Sequence, residues 1–459
     1  MKRVIKLPAV IFLLLSGMLI ISTTSCNKYA DSVKIGVFEV NVTPSIGGTV
    51  AYATVNSIVD SLYAKGVVIL SDEKPVVLCS VDWIGIANEG QRAWRESLAK
   101  AAGTTPDRVA VHVIHQHDGC RCDYTTEAIL DQYGLGGWRY DTLFMGNTIR
   151  SVAMAVENAT QNAQPVTHLG FGQAKVEKVA SNRRILGEDG NVKIVRYSST
   201  RDSASIAAPE GLIDPWLKCV SFWNEDQPLV VMNYYATHPM SHYGKGNVSS
   251  DFVGIARESR EEKLGVPHMY FSGAGGNIAA GKYNDGSPGR RPVLAGRMEK
   301  AMQQAWEGTT KTALSKSDME WRNVEIHLPL GDHLVEDELR ARLADDQLDS
   351  LKKFTAAKQL AWLQWNQSGS KVNITALKLA HVWLLQLPGE TSIEYQLAAQ
   401  EIKPDDQVCT AAYGEYGSGY ICTEIAYTQD KGYEQSPRVS FVSPEVEETL
   451  MTAMNQVLE

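Results

Sequence analysis

The chain has 459 residues, 44% hydrophobic and 21% charged, with a net charge of −9 at pH 7. That composition supports a large core and excludes a disordered chain, and acidic and basic residues are interspersed with no basic stripe, which excludes a nucleic-acid-binding role. No internal repeat is present, so solenoid and propeller architectures are excluded as well.

Met1-Lys2-Arg3 through Lys6 forms a positive n-region, residues 9–21 are mostly apolar, and Thr23-Thr24-Ser25-Cys26 brings small residues up to a cysteine. This is the pattern of a secretory signal. Its ending resembles a bacterial lipobox, with Cys26 as the lipidated first mature residue, and the apolar run is too short for a comfortable membrane span. The expectation is a signal peptide over residues 1–26 and an exported lipoprotein, anchored through Cys26 at the periplasmic face or cell surface. Six cysteines follow: Cys79, Cys120, Cys122, Cys219, Cys409 and Cys422. Disulfides are permitted outside the cytoplasm. Cys120 and Cys122 have no second thiolate pair for a zinc site, so they are expected to be structural thiols or a disulfide.

From Val33 the chain alternates. Val33, Ile35 and Val37 share one parity and Phe38, Val40 and Val42 the other, which predicts a strand with a bulge where the parity shifts, ended by Thr43-Pro44. Residues 61–70 and 76–82, around Ser71-Asp72-Glu73-Lys74-Pro75, predict a β-hairpin, and 87–102 a helix. Val109, Val111 and Val113 then alternate and run into His115-Gln116-His117-Asp118-Gly119. Alternation places both imidazoles on one face of an extended segment, at a strand's carboxyl end, where open α/β sheets put their sites. One ring there can ligate a metal while the other handles a proton. The alternative is a half-buried strand whose histidines are satisfied by backbone groups.

A second helix is expected over 142–160, then mostly extended chain over 166–226, including Ser181-Asn182-Arg183-Arg184. Residues 230–236 are apolar and end in Thr237-His238-Pro239. Pro239 bars helix continuation and biases His238 toward extended geometry, which delivers it to a strand tip. Asp251 is placed to cap a helix reaching about residue 264. A short strand over 268–271 feeds Ser272-Gly273-Ala274-Gly275-Gly276-Asn277, which is neither a dinucleotide fingerprint nor a P-loop. Helices are predicted over 290–307 and, with an interruption, 334–366. Residues 377–387 form an apolar strand stopped by Pro388-Gly389-Glu390, followed by a helix over 391–402, a strand over 407–412 and a terminal helix over 444–458. No Pro/Ser-rich linker divides residues 32–459. The fold class expected is α/β, one large mixed domain with mixed β-sheets flanked by helices.

Four features, in order, resemble the catalytic domain of the neutral/alkaline non-lysosomal ceramidases. They are the His115-Gln116-His117 strand end, Asn233-Tyr-Tyr-Ala-Thr-His238-Pro, Pro388-Gly-Glu390 closing an apolar strand, and Tyr420-Ile-Cys-Thr-Glu-Ile-Ala-Tyr427 followed by Tyr433-Glu434. The early strand and hairpin also fit that family's N-terminus. The resemblance covers residues 32–459 and leaves none for the family's C-terminal immunoglobulin-like domain, which is expected to be absent.

The resemblance implies one zinc ion (Zn2+) held by His115, His238, Glu390 and Tyr420. Residue chemistry agrees for the first three, since imidazole and carboxylate are ordinary zinc ligands; a phenol needs the metal's charge to share its proton. Taken singly, each has a structural alternative: His238 as a packed histidine before proline, Glu390 at a helix start, Tyr420 as a packing aromatic. His117 matches the family's second histidine, beside the metal. Arg183 matches an arginine facing the substrate and Tyr433 a second active-site tyrosine, a pair suited to holding an oxyanion. The alternative for Arg183 is a surface ion pair.

Two departures bear on the substrate. Ala279 stands where ceramidases carry a serine, so a hydroxyl that assists amide cleavage is missing, and Asp118-Gly119-Cys120 replaces Ser-Gly-Pro, adding a carboxylate near the metal. The expected activity is zinc-dependent hydrolysis of an amide (N-acyl) bond in a sphingolipid or related substrate, with His117 and Asp118 as proton-transfer groups. The alternatives are an exported metalloenzyme acting on glycans or their acyl substituents, and a non-catalytic binding lipoprotein. The space above the metal separates them: a narrow apolar tunnel suits an acyl chain, an open, aromatic-lined polar cleft a sugar.

Overall fold

Val33–Asn41 pairs antiparallel with Tyr63–Leu70 in unbroken register, from Lys34 opposite Leu70 to Asn41 opposite Tyr63, so the expected bulge is not formed. The parity shift has another cause. Val33 and Ile35 face one core and Phe38 and Val42 another, so the strand and its exit are apolar on opposite sides at their two ends. Gly36 permits this, because a Cβ there would meet the Ala159 carbonyl oxygen at 2.0 Å, where the helix Thr142–Gln161 lies on the strand. The computed structural model describes Met1 and residues 32–459; the signal-peptide reading and Cys26 fall outside the described residues. Ser32–Glu459 packs as one unit.

Three larger sheets build that unit. The first runs in the order Val109–Val113, Val76–Val81, Tyr63–Leu70, Val33–Asn41, Gln164–Val166. The second runs His268–Ser272, Gln227–Tyr235, Trp216–Asn224, His168–Lys175, Thr310–Ala313, and the third Met319–Ile326, Val372–Leu379, Val382–Gln386, Gln407–Ala411. Each is antiparallel except for one parallel pair at an edge: Val76–Val81 with Val109–Val113, Gln227–Tyr235 with His268–Ser272, and Val382–Gln386 with Gln407–Ala411. This is the mixed α/β architecture expected.

One hydrophobic core draws side chains from all three sheets, including Val67, Leu78, Phe222, Met232, Leu377 and Leu384. The outer faces are covered by helices. Thr142–Gln161 shows how the sequence directs this: Asp141 caps it by accepting from Phe144 N at 2.9 Å, and Met145, Ile149, Val152 and Val156 fall on one buried stripe. The parallel edges meet at the centre. Ser80 Oγ donates to the Tyr270 carbonyl at 2.6 Å, Ser272 Oγ to Ile114 O at 2.7 Å, and Ala412 N to Ser272 O at 2.8 Å. The carboxyl ends of strands from three sheets therefore converge on one place, as the switch points of open sheets do.

Several local expectations are corrected. The apolar run over 377–387 is not one strand: Val372–Leu379 and Val382–Gln386 form a hairpin whose turn holds Ala380 at φ 53°. The two-residue turn is Ala380-His381, which carries none of the Gly, Pro, Asn or Asp that usually mark a turn. Asp251 does not cap its helix. It is the first helical residue, at φ 55°, and accepts from Ser241 N at 2.9 Å while Ser250 holds the cap position. The region 334–366 divides into Glu336–Ala344 and Ser350–Gln367. Cys79, Cys120, Cys122, Cys219, Cys409 and Cys422 are all free and buried. Among the described residues, no helix is long and apolar enough to cross a membrane.

Candidate metal centre

Val109–Val113 ends before its histidines do. His115 N donates to Trp83 O at 3.1 Å, and the residue adopts a left-handed conformation at φ 63°. The expected alternation of His115 and His117 on one strand face therefore fails: the chain turns at His115, and the two rings meet edge-on at 85° with Nε2 atoms 3.3 Å apart. Tyr413, left-handed at φ 62°, stacks on His115 with centroids 4.5 Å apart. Left-handed non-glycine residues cost about 1–3 kcal/mol each and persist where surrounding contacts over-determine them. Here the His115 Nδ1–H, donated to Ile84 O at 2.6 Å, is one such contact.

His238 lies just beyond the second sheet's strand Gln227–Tyr235. Its Nδ1 faces the carbonyls of Gly275 at 2.7 Å and Ile278 at 2.9 Å, so the glycine cluster orients the ring. Gly276 has to be glycine, since a Cβ would meet the Glu390 carbonyl oxygen at 2.2 Å. Glu390 follows the third sheet's Val382–Gln386 and pairs in parallel with Tyr420. Its Oε2 lies 2.9 Å from His238 Nε2 and 3.2 Å from His115 Nε2, and Oε1 accepts from the Tyr416 hydroxyl at 2.7 Å. Tyr420 Oη is 3.4 Å from His238 Nε2. His115, His238, Glu390 and Tyr420 are thus brought together, and His117 joins them.

The hydrogen bonds set the electrostatics. With both Nδ1 atoms facing carbonyl oxygens, the Nε2 lone pairs of His115 and His238 point at a carboxylate oxygen. Acceptors facing acceptors need a cation between them. Burial raises the Glu390 pKa; with protons on both Nε2 atoms in place of a cation, His115 as a neighbouring charge and hydrogen bonds from His115 and His238 would outweigh burial and hold the carboxyl well below its ordinary range. Burial, reinforced by His115 and His238, pushes His117 well below the usual imidazole value, and burial lowers His238. Burial and then Glu390 raise the Tyr420 phenol well above its ordinary value, a direction that a bound cation opposes. The ligand atoms of His115, His117 and His238 lie within 4.8 Å of one another, and this buried cluster could hold a metal ion. Imidazole nitrogen with carboxylate oxygen is a donor set that fits zinc.

The remaining candidates separate. Tyr433 lines the cavity beside the histidines, its ring 5.7 Å from that of Tyr420. Arg183 does not line it: buried, it donates to Tyr420 Oη at 3.0 Å and pairs with Glu434 at 3.1 Å. It meets the candidate ligand Tyr420 and lies 5.1 Å from the ring of Tyr433. Asp118 also turns away, accepting from Gly244 N at 2.8 Å and pairing with Arg291 at 3.4 Å; burial raises its pKa to about 6. The first bond ties it to the 241–246 loop and the second to the helix Arg290–Glu307. Ala279 is buried, opposite Ser181 and bridged to His238, and is absent from the cavity wall.

The cavity beside the cluster has a volume of about 280 Å³. Its aromatic lining includes Tyr52, Tyr140, Phe354, Tyr416 and Phe441, and its basic lining Arg121, Arg139, Lys358 and Arg438. It is not a purely apolar tunnel. Sequence reasoning missed Tyr416, which steadies Glu390, and Tyr52, whose hydroxyl meets His117 Nδ1 at 3.1 Å. Tyr416 stands in the glycine-rich run Gly414–Gly419, the one signal available; Tyr52 carried none.

Strand tips from three sheets thus present histidines and a carboxylate beside one cavity, a cluster that could hold a metal ion. Solved structures share the fold: a ceramidase complexed with C2 (15% identity, TM-score 0.67, covering 93% of this chain and 75% of that one), and neutral ceramidase from Pseudomonas aeruginosa (16%, 0.66, 93% and 74%). The fold of residues 32–459 is therefore similar to that of the neutral ceramidases. No protein-family model and no curated protein sequence matches this chain.

Proposed function

We propose that this protein is a zinc-dependent hydrolase that cleaves an acyl bond, an amide in the first instance. The observation that carries the reading is the convergence of His115, His238, Glu390 and Tyr420 donor atoms at one cavity, with both imidazole Nδ1 atoms committed to carbonyls. These four residues would hold the ion, with His117 close enough to join them. A bound zinc ion supplies Lewis-acid chemistry to a hydrolysis. The chain's own residues supply the rest. His117, kept neutral by burial and held by Tyr52, accepts a proton from the attacking water. Tyr433 on the wall donates toward the oxyanion, and Arg183 positions Tyr420.

A sphingolipid amide is supported by the shared fold. Action on a glycan or its acyl substituents is the second reading, favoured by the aromatic and basic lining of the cavity. Export and lipid anchoring through Cys26 belong to the proposal on the strength of residues 1–26 alone. The test combines metal analysis with hydrolysis of short-chain ceramide and N- and O-acetylated sugars by wild type and His115→Ala. Loss of all turnover in the variant supports the proposal; metal-free protein, or unchanged turnover, rejects it.

A further inference from the structure

Arg121 is 9% exposed, on the short strand Arg121–Cys122, and its guanidinium has no hydrogen-bond or ion-pair partner among the described residues; its buried Nε is unsatisfied. The rings of Phe354 at 5.6 Å and Tyr52 at 5.8 Å face it, and the Glu390 carboxylate acts on it only through space. Arg183 and Arg257, buried as deeply, each hold a carboxylate. A buried charge without a partner is costly, and the cost is relieved by whatever completes the pair. Lys358, half-buried between Phe354 and Phe441, also has no anionic partner, and burial together with the charge of Arg121 lowers its pKa to about 8. Arg139 makes one bond, to Ala51 O at 3.3 Å, and its buried Nε is unsatisfied.

The acids in the same cavity are already engaged. Asp123 caps the helix Tyr124–Gln132 and binds Asn88, while Glu390 is held by the histidines and Tyr416. A surplus of uncompensated positive charge thus lines one cavity of a chain whose net charge is −9, so the bias is local. Low-dielectric walls focus such a field. Tyr52 bridges the two parts of the cavity, with its ring at Arg121 and its hydroxyl at His117.

We infer that the substrate carries an oxyanion (carboxylate, sulfate or phosphate) within a ring's width of the bond that is cut, received by Arg121 with Lys358 and Arg139. This rests on the hydrolase reading above and adds the substrate's charge to it. Guanidinium binds such groups through paired N–H donors, and ring-faced cations remain available to do so.

Binding to the metal-loaded protein, followed by tryptophan fluorescence, tests this, because Trp138 stacks at 4.0 Å from the Arg139 guanidinium. The probes are D-glucuronate and glucose 6-sulfate against glucose, and a short-chain ceramide phosphate against the unphosphorylated ceramide. The charged member of at least one set should bind ten-fold or more tighter, and the set that shows it identifies a sugar or a lipid body. Arg121→Gln and Lys358→Met should each erode that preference with metal content unchanged. Equal binding of charged and neutral members in both sets, or a preference that survives in both variants, overturns the inference. A protein that prefers the anion but holds no metal and cuts no acyl bond fails the hydrolase reading alone; one that hydrolyses without regard to charge fails this inference alone.

Discussion

His238 and Glu390 stand at strand tips of two different sheets, yet Nε2 of one lies 2.9 Å from Oε2 of the other. His238 Nδ1 already faces two carbonyls, so this contact joins a lone pair to a carboxylate and calls for a cation. Chelator treatment should therefore lower Tm, and zinc should restore it. A ligand at a hundred times its Kd stabilises the folded state by about 2.7 kcal/mol. Glu390→Gln should lose most of the bound metal. Identical melting with and without chelator, in protein containing no metal as purified, counts against the site.

Tyr416 donates to the Glu390 oxygen that faces away from His238. Groups that orient metal ligands typically contribute ten- to hundred-fold in affinity. Tyr416→Phe keeps the ring and removes the bond, so metal affinity should fall about ten-fold while the urea midpoint of metal-free protein barely moves. Competition against a chromophoric chelator measures this. Unchanged affinity would make Tyr416 a packing residue.

Asp82 and Arg257 form a two-bonded buried pair at 2.7 and 2.8 Å, tying the end of Val76–Val81 to the helix Asp251–Leu264. Removing one partner of such a pair strands the other's charge, at about 3–5 kcal/mol. Arg257→Leu should shift the urea midpoint accordingly, and Asp82→Asn combined with it should recover part of the loss. A double variant no more stable than the single one would show that the pair's neighbours, not the stranded charge, carry the effect.

The elements that position the site were legible because strong local signals end them: valine alternation before His115, Pro239 after His238, Pro388-Gly389 before Glu390. That those tips meet was legible only through the family resemblance, since separations of more than a hundred residues leave no periodic trace. The left-handed turn at His115 was hidden, being set by Trp83 and Tyr413 rather than by its own neighbours in sequence. Arg121 and Lys358 were hidden for a different reason. A basic residue after a cysteine or on a helix looks solvated until the fold encloses it. The Val372–Gln386 hairpin was missed because its turn, Ala380-His381, carries no Gly, Pro, Asn or Asp to mark it.

Burial lowers the pKa of His112 and of His268 to about 4, against 6.5 for an exposed imidazole. The folded state excludes a proton that the unfolded chain accepts, so these groups contribute stability fully above about pH 6.5 and lose it as pH falls toward 4. Each contributes on the order of 3 kcal/mol over that window. Urea midpoints of chelator-treated protein should fall across it, and His268→Gln should flatten the slope by one site's share. An unaltered slope in that variant would mean His268 is already protonated when folded.

Ala279 decides how far the ceramidase resemblance reaches into the substrate side. On resemblance alone, Ala279→Ser restores a hydroxyl beside the scissile bond and raises turnover. The structure points the other way. Ala279 is 1% exposed, its carbonyl accepts from Ser181 Oγ at 2.9 Å, and its backbone bridges to His238 rather than to the cavity. A hydroxyl added there enters the interior and needs a partner; an unsatisfied one costs about 1–3 kcal/mol. Ala279→Ser should therefore lower the urea midpoint and leave kcat on any acyl substrate unchanged or reduced. Tyr433→Phe, which removes a hydroxyl from the wall itself, should reduce kcat about ten-fold without changing stability. A ten-fold gain from Ala279→Ser would mean the working cavity extends behind His238, and the wall described here would then be only part of the site.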